Sequence, residues 1–418
     1  MPFDRVPNRY FIHDLSHRMP QNAELSTTAG PAQRDDIIAI LEKSRLQLEK
    51  WIEHAFYKGY EPFDGLSSFL RLLTFNHPFA ERILIQLVRQ CPVNIRPIIG
   101  IKPHESTKGR AYMAAGYLHM FVRTGNQHYK TQAIACLDWL MDNKSPGYAD
   151  YCWGNHFDWT NRQGRLPKFE PTIVWTSLIG QTFLDAYEIL GEKKYLDVTT
   201  SICEWILALP REKTNSGTCL SYVAFEQSSI HNSNLLGAAM LARAAKYTHE
   251  KAALAVAKEA VRYSCTRQLT NGAWYYGEAP MHHWIDNFHT CYNLDSLKYY
   301  FEQTNDATVL KNIQLGFTFL IQNFFEKDGM PKYYPHRIYP IDIQCASQAI
   351  ETLANYTAYD ELSLRLSLKV ALWTIKNMQD KSGYFYYRQL PRIKVKIPML
   401  HWGQATMYKA LTRLLTKI

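Results

Sequence analysis

From Lys108 to the end of the sequence, paired helical segments repeat at a regular interval, and this repeat leaves few folds open. Helical apolar periodicity begins near Lys108, Thr172, Asn232, Phe288, Asp342 and Trp402, at steps of 54 to 64 residues. Each of the first five starts is followed by a second helical stretch, over about 128–143, 194–209, 251–268, 307–323 and 361–378. The links inside the pairs are short and polar, as in Arg123-Thr124-Gly125-Asn126 and Leu190-Gly191-Glu192-Lys193. Short links favour antiparallel neighbours. A lone helical hairpin leaves one apolar face open, and stacked copies cover it. Six starts, the last without a partner after it, predict an all-α ring, an (α/α)6 toroid. Residues 402–415 would then pair with the amphipathic stretch 35–54 and close the ring. A single toroid domain is expected over 31–418, preceded by an irregular, Pro-containing arm over 1–30.

The links between pairs carry a second repeat. Asn271-Gly272-Ala273-Trp274-Tyr275-Tyr276, Asp328-Gly329-Met330-Pro331-Lys332-Tyr333-Tyr334 and Ser382-Gly383-Tyr384-Phe385-Tyr386-Tyr387 each hold a Gly turn and then a Tyr pair. Tyr151-Cys152-Trp153-Gly154 and Cys219-Leu220-Ser221-Tyr222 read as degenerate copies. The chain has 27 Tyr, 19 Phe and 10 Trp, and their concentration in loops points beyond core packing. Flat rings with polar edges suit stacking against sugars.

The formal net charge of +9 is mild for 418 residues. It comes with no Lys/Arg stripe and no nucleic-acid-binding module, which argues against a nucleic acid partner. An anionic polysaccharide is compatible with it. No segment approaches the roughly 20 apolar residues of a membrane span. The start of the sequence lacks the apolar core of a signal peptide. The eight cysteines form no close pair, so neither a zinc ribbon nor a disulfide scaffold is indicated. A soluble cytoplasmic protein with no metal and no cofactor is expected.

Several blocks resemble a known family. They are Trp153-Gly154-Asn155-His156-Phe157-Asp158-Trp159, Ile230-His231-Asn232-Ser233-Asn234, Trp284-Ile285-Asp286-Asn287-Phe288-His289-Thr290, Pro331-Lys332-Tyr333-Tyr334 and Tyr339-Pro340-Ile341-Asp342-Ile343-Gln344. They look like those of proteins from bacterial exopolysaccharide and capsule biosynthesis clusters, which have the six-hairpin glycosidase-like toroid. The similarity runs from about Tyr60 to His401. It implies a role in polysaccharide biosynthesis, a poly- or oligosaccharide substrate, and other polysaccharide-synthesis proteins as partners. Cys291 departs from the pattern, standing where a small residue such as Gly is usual. Gln344 departs too, at a position where His is usual.

If the helices alternate in direction, all inner helices start at one end and their loops converge on one mouth. Asp286 is then the first candidate for a catalytic carboxylate, because Trp284 and Phe288 would desolvate it. His289 is the first candidate for a base, with Asp158, His231 and Asp342 facing them. Trp153, Trp159, Trp274, Tyr275, Tyr276, Trp284, Tyr292, Tyr333 and Tyr334 are candidate walls for sugar rings. Asn232, Asn287 and His401 are candidate polar contacts, and Lys332 a candidate counter-charge for a substrate carboxylate. The plainer reading is that Asp286, Asn287, Asp342 and Asn232 cap the helices that follow. Glycoside hydrolysis needs two carboxylates about 5–9.5 Å apart, and Asp158, Asp286, Asp342 and Glu278 are available. Epimerisation or β-elimination needs a base and a proton donor on opposite faces of the sugar. His231, His289, Tyr292 and Tyr334 could serve. A sugar-binding scaffold subunit without turnover is the third reading, and a prenyl-handling toroid a weaker fourth.

Overall fold

The computed structural model describes residues 31–161 and 164–418, so the arm expected over 1–30 lies outside the described residues. The chain enters the fold through α1 (Pro31–His54) and the short α2 (Pro78–Gln90). It then alternates between two concentric layers. The inner layer holds α3 (Thr107–Thr124), α5 (Ile173–Leu190), α7 (His231–Thr248), α9 (Asn287–Thr304), α11 (Ile343–Asn355) and α13 (Thr406–Leu415). The outer layer holds α4 (Gln127–Asp142), α6 (Lys193–Ala208), α8 (Lys251–Cys265), α10 (Leu310–Asn323) and α12 (Glu361–Met378). Each inner helix packs on the next, and α13 packs back on α3. The inner layer is therefore a closed ring. As expected from the repeat, α1 packs on α13 and supplies the missing sixth outer helix.

Inner helices touch neighbours on both sides and at the back, so they are buried almost all round. In α7 the run from His231 to Ala244 is buried throughout. The turns inside the hairpins end on left-handed residues, Gly125, Gly191, His249 and Asn305, whose N–H groups each return to a carbonyl of the preceding helix. Between α1 and α2 the chain forms two 3-10 turns, Asp64–Ser67 and Phe69–Thr74. With α2 they build a small separate core of Leu66, Leu84, Ile85, Val88, Ile99 and Ile101. No helix among the described residues is long and apolar enough to cross a membrane.

The Gly and Tyr of the repeated links have separate jobs. At the N-terminus of an inner helix the first N–H groups lack intrahelical acceptors. Ile173 N–H donates to the Tyr222 carbonyl (3.0 Å), His231 to Tyr276 (3.0 Å), Asn287 to Tyr333 (3.0 Å) and Ile343 to Tyr387 (3.1 Å). Leu400, opening the π-turn Leu400–Ala405 before α13, donates to Tyr60 (2.9 Å). In each case the acceptor is a Tyr in the loop that leads into the next inner helix round the ring. The Gly turns press these loops onto outer helices. Gly272, Gly329 and Gly383 all have positive φ (91°, 93° and 106°). A Cβ on them would overlap the backbone of Leu315 in α10, Lys369 in α12 and Gln47 in α1, respectively.

This generates a comparison of two left-handed glycines. Gly383→Ala meets both the left-handed penalty and the Gln47 backbone, and should cost about 3 kcal/mol or more. Gly125→Ala, also at positive φ but with open space around it, should cost about 1 kcal/mol. Urea denaturation of the two variants checks the difference, and equal losses would remove the loop-docking role of Gly383.

Candidate active site at the mouth of the ring

All six inner helices present their N-termini to one end, and α9 builds the first half of the site there. Asp286 is its N-cap, with Oδ1 accepting from His289 N–H (3.0 Å). Its other oxygen accepts from His289 Nδ1 (2.7 Å) and Trp284 Nε1 (3.2 Å). A carboxylate can only accept, so His289 carries a proton on Nδ1, and in the neutral ring Nε2 is then the lone-pair nitrogen. Tyr276 stacks on Trp284 (4.5 Å between centroids) and lies 4.7 Å from the His289 ring. These groups, with Asn232 and Tyr275, line a narrow cleft. The Asn232 Oδ1 is buried there without a hydrogen-bond partner.

The second half sits at the seam of the ring. Glu61 accepts from His401 N–H (2.7 Å) and Trp402 N–H (3.3 Å) through its two oxygens. His401 Nδ1 lies 2.7 Å from Glu61 Oε1 and 3.2 Å from Ser106 Oγ. All three side chains are buried. Burial pushes the Glu61 carboxyl up to about 8, with the two backbone N–H groups pulling it back. Burial, then the nearby Lys108 charge, holds the His401 imidazole well below its usual 6.5. Lys108, in the first turn of α3, is itself lowered to about 7 by burial. Trp175, in the first turn of α5, stands edge-on to His401 (5.0 Å). Tyr292 joins the two halves. Its hydroxyl accepts from Gln344 Nε2 (3.1 Å), its ring lies 6.4 Å from His289, and Lys108 Nζ lies 6.0 Å from that ring.

The other expected residues fall into place differently. Asp342 caps α11 through Gln344 N–H (2.9 Å) and also holds Arg388 (2.6 Å) and Trp402 Nε1 (2.8 Å). Asp158 is ion-paired with Arg71 and accepts from Lys168 N–H (2.9 Å). His231 is buried with both nitrogens engaged, by Glu278 (2.8 Å) and Ser264 (3.2 Å). Glu278 is lowered by that imidazole and by Arg267. Lys332 is turned to the Pro335 carbonyl (3.3 Å) and Glu326 (3.6 Å). Asn287 is buried, and its amide donates to the Lys332 carbonyl (3.1 Å) rather than capping α9. Trp153 and Trp274 are core residues, each donating Nε1 to a carbonyl of the preceding outer helix or its end, Leu140 and Ser264. Trp159 packs on Phe63 (5.6 Å) and Tyr333 on Phe288 (5.9 Å), with Tyr334 beside Tyr333 (4.6 Å). His283 stacks on Tyr275 (4.4 Å), and its Nε2 lies 3.0 Å from the Glu278 carbonyl.

Three residues of the site escaped sequence reasoning: Glu61, Lys108 and Trp175. Lys108 and Trp175 share the helix-start position that drew attention to His289, and that was their signal. Glu61 had none, because only ring closure brings it to His401.

No family model matches the chain, and no curated protein matches it. Solved structures do. A cellobiose 2-epimerase from Bacillus thermoamylovorans is 10% identical over 75% of this chain and 89% of that one, with a TM-score of 0.55. A D-mannose isomerase is 12% identical over 75% and 88%, with a TM-score of 0.56. A GH76 α-mannanase from Bacteroides thetaiotaomicron is 10% identical over 74% and 86%, with a TM-score of 0.57. The shared feature is the fold. This chain has the six-hairpin glycosidase-like (α/α)6 toroid.

Glu61 gives the site a pH signature. Its folded carboxyl rises from 4.5 to about 8. Its stabilising contribution is therefore complete below the unfolded value and lost as pH rises through about 8. Lys108, lowered from 10.5 to about 7, runs the other way and loses its contribution as pH falls through about 7. Glu61→Gln cannot ionise. Its melting temperature relative to wild type should therefore be higher at about pH 9 than at about pH 6. A difference that stays constant over that range in circular dichroism melts would show that Glu61 does not titrate there.

Proposed function

We propose that this chain is a sugar epimerase or isomerase of bacterial exopolysaccharide or capsule biosynthesis, moving a proton between a substrate carbon and two imidazoles. One observation carries the reading. His289 and His401 each have Nδ1 held by a buried carboxylate, Asp286 and Glu61. Both carboxylates orient their imidazoles, and both rings keep Nε2 for chemistry. The hydrolase reading lacks an equivalent pair. Asp158 and Asp342 are ion-paired, and Asp286 is committed to three N–H donors. The names of the neighbours include both chemistries, and the state of the carboxylates favours the epimerases and the isomerase.

In this mechanism one imidazole removes the proton from the carbon beside a carbonyl or carboxyl group, and its Nε2 takes that proton. The electron pair of the C–H bond moves onto the adjacent oxygen. The Glu61 carboxyl, protonated below about 8, can donate to His401 Nδ1, so that the neutral His401 carries its proton on Nε2. Delivery of that proton to the opposite face inverts the centre, and return of the abstracted proton to the neighbouring carbon isomerises the sugar. The Tyr292 hydroxyl, held by Gln344, is placed to donate to the developing oxyanion. Tyr276 and Trp284 offer stacked rings to the sugar faces. The cytoplasm is proposed as the working compartment, since all eight cysteines are free.

Incubation of neutral and acidic mono- and disaccharides with the protein in deuterium oxide tests this by proton NMR. The expected result is loss of one C–H signal, with deuterium in its place. His289→Asn and His401→Asn should each slow the exchange by about 10²–10⁴-fold. Release of new reducing ends that survives His289→Asn would favour hydrolysis. Binding of a sugar with neither exchange nor cleavage would favour the scaffold subunit.

Asp286 acts through His289. Asp286→Asn preserves the cap but presents an N–H to Nδ1, forcing the ring into the tautomer whose Nε2 is protonated. Exchange should fall steeply and its pH profile change, with melting nearly unchanged. Asp286→Ala should lose exchange and about 1 kcal/mol of stability as well. An Asn variant with unaltered exchange and pH profile would reduce Asp286 to a cap.

A further inference from the structure

We propose that Lys108 anchors the carboxylate of an acidic sugar at the centre of the mouth. Among the described residues six Lys and Arg side chains are buried: Arg45, Arg96, Lys108, Arg243, Lys298 and Arg388. Five of them are ion-paired, with Glu49, Asp64, Asp185, Glu302 and Asp342 respectively. Lys108 is the exception. It is 5% exposed, and no carboxylate lies within ion-pair distance of it among the described residues. Glu61, the carboxylate that acts on it most strongly, spends its two oxygens on the backbone of His401 and Trp402 and on the imidazole.

A buried ammonium without a counter-ion is costly. Ring faces soften that cost: Nζ lies 4.9 Å from the Trp175 centroid, 5.6 Å from Tyr112 and 6.0 Å from Tyr292. A cation–π contact returns only about 0.5–2 kcal/mol and leaves the ammonium donors without acceptors. Nearby Lys409 repels the Lys108 charge, and is itself paired with Glu351 (2.7 Å). The N-termini of α3 and α5 add positive potential. The place is built for one small anion.

A carboxylate fits better than a phosphate. A phosphate would call for several converging donors or a bidentate guanidinium, whereas here one point charge stands inside an aromatic cage. This inference rests on the proton-transfer reading of the same site and narrows its substrate. The ammonium would neutralise charge that builds on the carboxylate as the adjacent C–H proton leaves. It also moves the counter-charge role expected of Lys332 to a different residue.

Calorimetric titration of the full chain tests it with D-glucuronate and D-galacturonate against D-glucose, D-galactose, glucuronate methyl ester and glucose 6-phosphate. The acidic sugars should bind on the order of tenfold or more tightly than their neutral counterparts, the value of one added charge-assisted contact. The methyl ester should bind like glucose. Lys108→Met, which keeps the stem between the rings, should erase the advantage of the acids over the neutral sugars. The ester comparison uses wild-type protein and stands even if that variant fails to fold. Equal binding of acidic and neutral sugars, or an ester that binds like the acid, would overturn the role of Lys108 while leaving the proton-transfer site intact. Preference for glucose 6-phosphate would overturn the carboxylate assignment. If no sugar of either kind binds, both readings fall.

Discussion

The first N–H groups of a helix have no acceptor within the helix, and in a ring of buried helices water cannot supply one to each. An orphaned buried N–H costs about 1–3 kcal/mol, so the ring has to solve this problem at every inner helix. At α3 the Ser106 side chain caps the helix. At the other five of the six it uses one device, in which the opening N–H donates to a Tyr carbonyl in the loop ahead, at Tyr222, Tyr276, Tyr333, Tyr387 and Tyr60. Each bond ties one hairpin to the loop of the next. The sequence of ties runs round the ring and ends where the last π-turn meets Tyr60, near the start of the fold.

The site is a by-product of these ties. Because the loops are fixed at the helix starts, the side chains just inside α7 and α9, Asn232 and His289 among them, line one cleft. His289 follows Asn287, whose N–H docks on Tyr333, and His401 follows Leu400, whose N–H docks on Tyr60. The last bond also delivers Glu61, adjacent to Tyr60 in sequence, to His401 at a separation of 340 residues. Closure of the ring and assembly of the second imidazole–carboxylate pair are the same event. The burial that stabilises the ring also shifts the groups it traps. Glu61 is held up, Lys108 and His401 are held down, so burial favours the neutral form of all three.

Three histidines occupy helix starts beside a carboxylate, and their hydrogen bonds distinguish them. His231 has Ser264 on its second nitrogen and serves the packing of α7. His289 and His401 place their carboxylate contacts on Nδ1 alone. Motif spacing makes the three equivalent, whereas their surroundings do not.

The sequence by itself determined the ring. Helical periodicity, short polar links and the count of six starts dictated hairpins that bury one another, and the unpaired last helix dictated closure through α1. It also pointed to the Asp286–His289 pair, because a cap and the residue three positions on share a helix turn and meet whatever the rest of the chain does. Tertiary structure decided what long-range contacts control. Asp342 looked like a free carboxylate until Arg388 and Trp402 came to it from the last link and the π-turn. Trp153 looked like a groove residue until Leu140 and Phe183 enclosed it. Glu61 carried no local mark of function, and Lys108 only its place at a helix start. A local pattern records which turn a side chain sits on, but the desolvation and partners that set its chemistry come from helices hundreds of residues away.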